Sequence, residues 1–226
     1  MRINKNSIPI ILFIAYLFSF ISCGVKEKSA NKHVKLKDDT NVALLVFDAG
    51  NYVAESDSSS VFWGCRWLGG SKHDGDVYLE QGSVNIKDDG NISGNFVVDM
   101  NTIDCFDIKN IGTKNKLIGH LKSDAFFDVE NHPKARLEIH SSENIDANKF
   151  LFKGSLTIKS ITNPIEMKGK VQKYDSGYSA DIKLVFDRSK YDVRHRSASF
   201  FNDLGDRIIS DEVFLNVKIK LNKNVS

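Results

Sequence analysis

The sequence predicts an all-β domain of about eight antiparallel strands with one short helix, the strands closed into a barrel or stacked as a sandwich. Three observations carry this. Apolar and polar residues alternate in run after run, turn residues separate the runs, and a single segment repeats at helical spacing. Strict alternation marks a strand with one buried and one wet face.

Ser60 to Trp67 and Val77 to Ile86 begin the series. In the next run Ile92, Gly94, Phe96, Val98 and Met100 are apolar or small, and Ser93, Asn95 and Asp99 face away. Ala135, Leu137 and Ile139 then alternate with Lys134, Arg136, Glu138 and His140. Phe150, Phe152, Gly154, Leu156 and Ile158 do so with Lys149, Lys153, Ser155, Thr157 and Lys159. Ile165, Met167, Gly169 and Val171 form the next apolar face, and Ala180, Ile182, Leu184 and Phe186 the one after it. Val213, Leu215, Val217, Ile219 and Leu221 close the series. Asp88-Asp89-Gly90-Asn91, Asn163-Pro164 and Asp175-Ser176-Gly177 supply turns between runs. From Lys116 to Val129 the apolar residues Leu117, Ile118, Leu121 and Phe127 stand at helical spacings, and Pro133 forbids continuation. That segment is expected to cap or plug the sheet. Val42 to Phe47 fits either an extra edge strand or a loosely packed stretch.

The N-terminus reads as an address. Arg2 and Lys5 precede an apolar run from Ile8 to Ser22, and small Ser22 stands directly before Cys23. This describes a secretory signal peptide, too short for a comfortable membrane-spanning helix. Phe20-Ile21-Ser22-Cys23 resembles the lipobox of bacterial lipoproteins, which implies a lipid on Cys23 and a membrane-tethered protein of the cell envelope. An ordinary cleavage nearby, leaving Cys23 as a spare thiol, is the alternative. The expected organisation is a signal peptide over 1–22, a Lys-, Asp-, Ser- and Asn-rich flexible tether over 23–41, and a domain over 42–226. With Gly24 after the cysteine, the outer membrane, facing the periplasm, is the favoured location.

Removing the signal takes away two basic residues and no acid, leaving 29 of each sign. A balanced charge argues against a nucleic-acid partner. Cys65 and Cys105 are candidates for a disulfide or for two free thiols, and their spacing fits no metal knuckle. His33, His73, His120, His132, His140 and His195 are scattered, without the His-x-x-x-His spacing of a metal site. The sequence has no nucleophile elbow and no phosphate-binding glycine loop. Asp124 and Asp128 read as solvated, and His120 with Asp124 makes a weak acid–base pair. Arg188, Arg194 and Arg196 suit phosphate contacts, but read better as a surface loop paired with Asp187, Asp192 and Asp206. Aromatic residues are numerous and fit either a packed core or the lining of an apolar pocket.

Several blocks, in order, resemble the YceI-like family. They are Ser59-Ser60-Val61-Phe62-Trp63, the stretch Gly119 to Val129 followed by His132-Pro133, Phe152 to Ile158 with Ile161-Thr162-Asn163-Pro164-Ile165, Asp187 to Tyr191, and Ile209 to Val213. The similarity runs from about Tyr52 to Leu221. The segment Gly64 to Gly75 departs from it.

The resemblance implies a lipocalin-like eight-stranded antiparallel β-barrel with a short helix at one end. It also implies a polyisoprenoid, or a related long apolar amphiphile, held without catalysis or cofactor as carrier or store. Phe62, Phe96, Val98, Phe126, Phe127, Leu137, Phe152, Leu156, Ile182, Leu184 and Phe186 are the expected lining, with His120 and Arg188 as polar-head contacts. The alternative is a filled β-domain acting through its surface, and a homodimer remains compatible with either reading.

Overall fold

The computed structural model describes residues 44–224. The signal peptide, the tether and Cys23 lie outside the described residues. Val42–Ser226 is one compact unit.

The described residues form nine strands and one helix. The strands are β1 (Gly50–Ala54), β2 (Ser60–Trp67), β3 (Lys72–Ile86), β4 (Ile92–Cys105), β5 (Lys134–Asp146), β6 (Lys149–Ile158), β7 (Ile161–Tyr174), β8 (Gly177–Asp187) and β9 (Ile209–Lys223). The helix α1 (Ile111–Lys122) lies between β4 and β5. From β2 to β9 each strand pairs antiparallel with its neighbour in sequence, and β9 returns to pair with β2. β1 pairs with the far halves of the same two strands, β3 and β9. β1 and β2 therefore occupy one strand position, broken at Glu55 to Ser59, and the nine strands make a closed barrel of eight positions. Closure leaves no sheet edge.

The expected alternation places the buried side chains inward. Leu79, Val84, Phe152, Met167, Leu184 and Phe186 belong to one continuous core. Lys153, Lys168 and Lys183 stand on the wet face.

Two expectations are corrected, and two open alternatives are decided. Residues 44–49 form no strand. They are held by one backbone bond from Leu45 N–H to the Ala147 carbonyl (3.1 Å) and by the Phe47 ring, 5.0 Å from Phe150 and 5.1 Å from Tyr178. The helix lies earlier than the apolar spacing suggested. Asn110 caps it by accepting from Thr113 N–H, it ends at Ser123, and it buries only Leu121. With so little burial, the cap sets its start, and Phe126, Phe127 and Val129 fall in the turns that follow. β3 begins at Lys72, five residues before the apolar run, because polar His73 and Asp74 pair with Cys65 and Gly64 of β2. Finally, Cys65 and Cys105 are free thiols. Cys65 is opposite His73 and Cys105 is opposite Gly75, so β3 separates them by two strand spacings, roughly 10 Å. That exceeds the reach of a disulfide.

Gly154 sits where β5 bulges between Ile139 and Ser141. A Cβ there would lie 1.9 Å from the Glu138 carbonyl oxygen. Gly154→Ala is expected to cost about 1–3 kcal/mol through forced backbone displacement. A lowered urea midpoint at unchanged slope checks this.

Candidate functional site

The inward faces of the strands do not fill the barrel. A cavity of about 190 Å³ runs along its axis, from Phe47 and Tyr178 at one end to Leu121, Phe126 and Arg188 at the α1 end. Its walls expose no nitrogen or oxygen among the described residues. Val98, Leu137, Ile182, Leu215 and Val217 point inward yet are only partly buried. Their remaining accessible surface is cavity wall.

Every side chain expected to line a pocket does so except Phe62. Phe62 is 37% exposed on the outer face, with its ring 6.2 Å from Phe106. The inward members of β2 are Val61, Trp63 and Cys65. Three consecutive bulky apolar residues, Val61-Phe62-Trp63, hide the period. Polar Ser60 and Arg66 share the parity of Phe62 and were the available signal for its outward direction. Trp63, Cys65 and Leu79 are lining residues that the sequence reading missed. Burial raises the Cys65 thiol pKa against the opposing charge of Arg188, which keeps it protonated.

The two polar-head candidates differ in what they can offer. Arg188, 1% exposed, donates from Nε to Ser210 O (3.0 Å), from Nη1 to Val193 O (3.0 Å) and from Nη2 to Ile209 O (3.1 Å). Asp211 Oδ1 stands 3.2 Å from Nη2 as counter-charge, and its Oδ2 accepts from Ser197 and Ser199 hydroxyls. The guanidinium therefore clamps the Val193 loop to the start of β9 at this end. Its charge is compensated by the protein itself. His120, on α1, lies outside the lining, with Nε2 3.1 Å from Nε2 of His195 and its ring edge-on to Phe126 at 5.0 Å. Burial first, then the neighbouring His120, Arg196 and Arg188, pushes the His195 pKa down to about 4. At neutral pH His195 is uncharged.

Residues 52–221 of this chain match a known domain family, the YceI-like domain. The chain belongs to the YceI-like family. Solved structures of similar fold include the following two. BcnA of Burkholderia cenocepacia superposes with a TM-score of 0.60 at 16% identity, covering 74% of this chain and 98% of its own. A polyisoprenoid-binding domain from Saccharophagus degradans, implicated in plant cell wall breakdown, gives 0.56 at 13% identity, covering 76% of this chain and 98% of its own. At these identities the likeness establishes the fold. None of the curated proteins is similar enough to match.

Two outcomes follow from the α1 end of this YceI-like barrel. Arg188→Met removes the cation from Asp211 and three carbonyl partners, and is expected to cost about 3–5 kcal/mol in urea unfolding. The second concerns pH. Because the His195 pKa is lowered from 6.5 to about 4, the unfolded chain takes up its proton first as pH falls. Stability is expected to drop between those values, by on the order of 1–3 kcal/mol, and to be unaffected by this group above pH 6.5. His195→Gln should flatten that part of a stability–pH profile.

Proposed function

We propose that the barrel binds a polyisoprenoid or a similar long apolar amphiphile in its cavity, without turning it over. It acts as carrier or store in the bacterial envelope, tethered through a lipid on Cys23 to the outer membrane and facing the periplasm. The observation that carries this reading is the wholly apolar cavity along the barrel axis. Each methylene moved there from water is worth about 0.8 kcal/mol, so a long chain is held without a charged anchor. The polyisoprenoid-binding domain from Saccharophagus degradans supports the ligand class through its shared fold.

The volume decides how such a chain fits. A space of about 190 Å³ exceeds the ~150 Å³ apolar cavities that stay dry and take up benzene. It falls below the ~300 Å³ at which pockets for drug-sized ligands begin. A long chain therefore widens the cavity on binding, by turning partly buried side chains such as Phe47, Phe96 and Phe127 aside. A polar head left at the α1 end meets the uncharged His195 beside His120, and Arg188 has its charge already engaged.

Native mass spectrometry of residues 42–226, secreted without the anchor and followed by organic extraction, tests the reading. A stoichiometric apolar adduct is expected, and its loss is expected in a Phe96→Ala, Leu184→Ala double variant. Truncating buried Leu184 also costs about 2–5 kcal/mol, so retention is compared on protein verified as folded. Undiminished retention in that variant removes the cavity from the account. A clean apo mass, unchanged by added polyisoprenoids, favours a barrel that works through its outer surface.

A further inference from the structure

At the rim of the barrel, beside α1, three side chains of different chemistry converge. His73 comes from the start of β3, Cys105 from the end of β4, and Asp107 from the turn that follows. The pairing of β3 with β4 brings His73 and Cys105 together. None of the three lines the apolar cavity, so the cluster is separate from it. His73 Nδ1 stands 2.8 Å from Asp107 Oδ2, and Cys105 Sγ 3.0 Å from Asp107 Oδ1. All three ligand-type atoms fall within 4.8 Å of one another.

We propose that His73, Cys105 and Asp107 bind a divalent cation of the zinc class, with water as fourth ligand. The donor set is the first argument. One imidazole, one thiolate and one carboxylate favour zinc or its first-row neighbours over magnesium and calcium, which take oxygen. Charge is the second. Thiolate and carboxylate together balance a dication, and the neutral imidazole adds nothing, so the loaded site is neutral where Cys105 is fully buried.

Geometry is the third argument. Zinc bond lengths to nitrogen, sulfur and oxygen imply tetrahedral edges of roughly 3.3 Å from nitrogen to oxygen and 3.5 Å from sulfur to oxygen. The present spacings, His73 to Oδ2 and Cys105 to Oδ1 of the one carboxylate, are about half an ångström shorter, as expected when hydrogen bonds draw the ligands together in place of a cation. The ligands are also pre-oriented. Asp74 N–H donates to Asp107 Oδ1 (3.1 Å), and the Trp67 ring packs edge-on against His73 at 4.7 Å. Outer contacts of this kind fix metal ligands in place.

Binding is a proton exchange without redox change. The S–H bond of Cys105 breaks, its proton passes to solvent, and the sulfur lone pair forms the bond to the metal. The proton that His73 Nδ1 shares with Asp107 shifts to Nε2 by exchange with solvent, which frees the Nδ1 lone pair for the metal, and Asp107 donates from its carboxylate.

The test uses the full chain carrying Cys23→Ser, in detergent, reduced and stripped with a chelator, and titrated with Co²⁺. Cys65 and Cys105 are then its only thiols. The expected result is equimolar binding with a thiolate-to-cobalt charge-transfer band, release of a proton per cation, and loss of the band on adding Zn²⁺. Cys65→Ser should leave the band unchanged. His73→Ala and Asp107→Asn should each weaken binding by more than about 100-fold, beyond the range for outer contacts. Should Cys105→Ser fail to fold, these two surface-reaching variants decide the matter. The proposal is overturned by absence of a stoichiometric band, by a band lost in Cys65→Ser, or by binding that survives both His73→Ala and Asp107→Asn.

Discussion

The pairing of the first strand position with the last, β2 with β9, is the contact on which the rest of the molecule depends. Every other pair from β2 onward joins neighbours in sequence, across a short connection or, for β4 with β5 and β8 with β9, across α1 and the 188–208 segment. Val61 opposite Val217 closes a loop of most of the domain. The entropy of doing so rises only logarithmically with length. What it secures is large: a sheet with an apolar face becomes a tube, and that face leaves water without a second sheet to cover it. The break between β1 and β2 is held to the same strand. Glu55 N–H donates to Lys220 O (2.9 Å), Lys220 N–H to Ser59 Oγ (3.2 Å), and the Glu55 carboxylate pairs with Lys220 Nζ at 2.8 Å. β9 thus fixes both halves of the interrupted position.

The two ends of the tube are closed by different physics. At the α1 end, Arg188 ties the Val193 loop carbonyl to two carbonyls at the start of β9 around a buried ion pair, and opening it would strand both charge and carbonyls. At the other end the closure is aromatic. Phe47 lies against Phe150 and Tyr178, Tyr52 against Tyr178 at 5.2 Å, and Asp48 donates its N–H to the Tyr178 hydroxyl (2.7 Å) and accepts from Tyr52 (2.9 Å). Exposing one such ring costs about 1.5–3 kcal/mol, and its polar partners lie close enough to water to be resolvated. The Phe47 end is the less costly of the two to open.

Alternation made the inward residues of β4 to β9 legible, because each of those strands has one dry and one wet face and a shift by one residue would reverse them. Where the pattern is interrupted, legibility fails. Val61-Phe62-Trp63 carries no polar residue to set the parity, so Phe62 was placed inside. Lys72 to Gly75 looks like loop until pairing with β2 is known. Barrel and sandwich could not be separated by periodicity, since the difference is the single long-range pairing of β2 with β9. The convergence of His73 with Cys105 and of His120 with His195 was invisible for the same reason: each joins distant segments whose meeting is a property of the closed sheet.

An open interior is thermodynamically costly, and the cost bears on what the barrel is for. At about 24 cal/mol per Å³ of void, a space of 190 Å³ forgoes roughly 4–5 kcal/mol that filled packing would supply. That is comparable to the whole net stability of a marginal domain, about 5–15 kcal/mol. Small changes would recover it, because the wall has room for larger side chains at Ala135 and Ala180, both of which line the space. A domain that works only through its outer surface gains nothing from keeping the space. A domain that takes up an apolar chain does gain, since the guest restores the missing contacts and returns that stability on binding. The void is therefore better explained as a binding site than as imperfect packing.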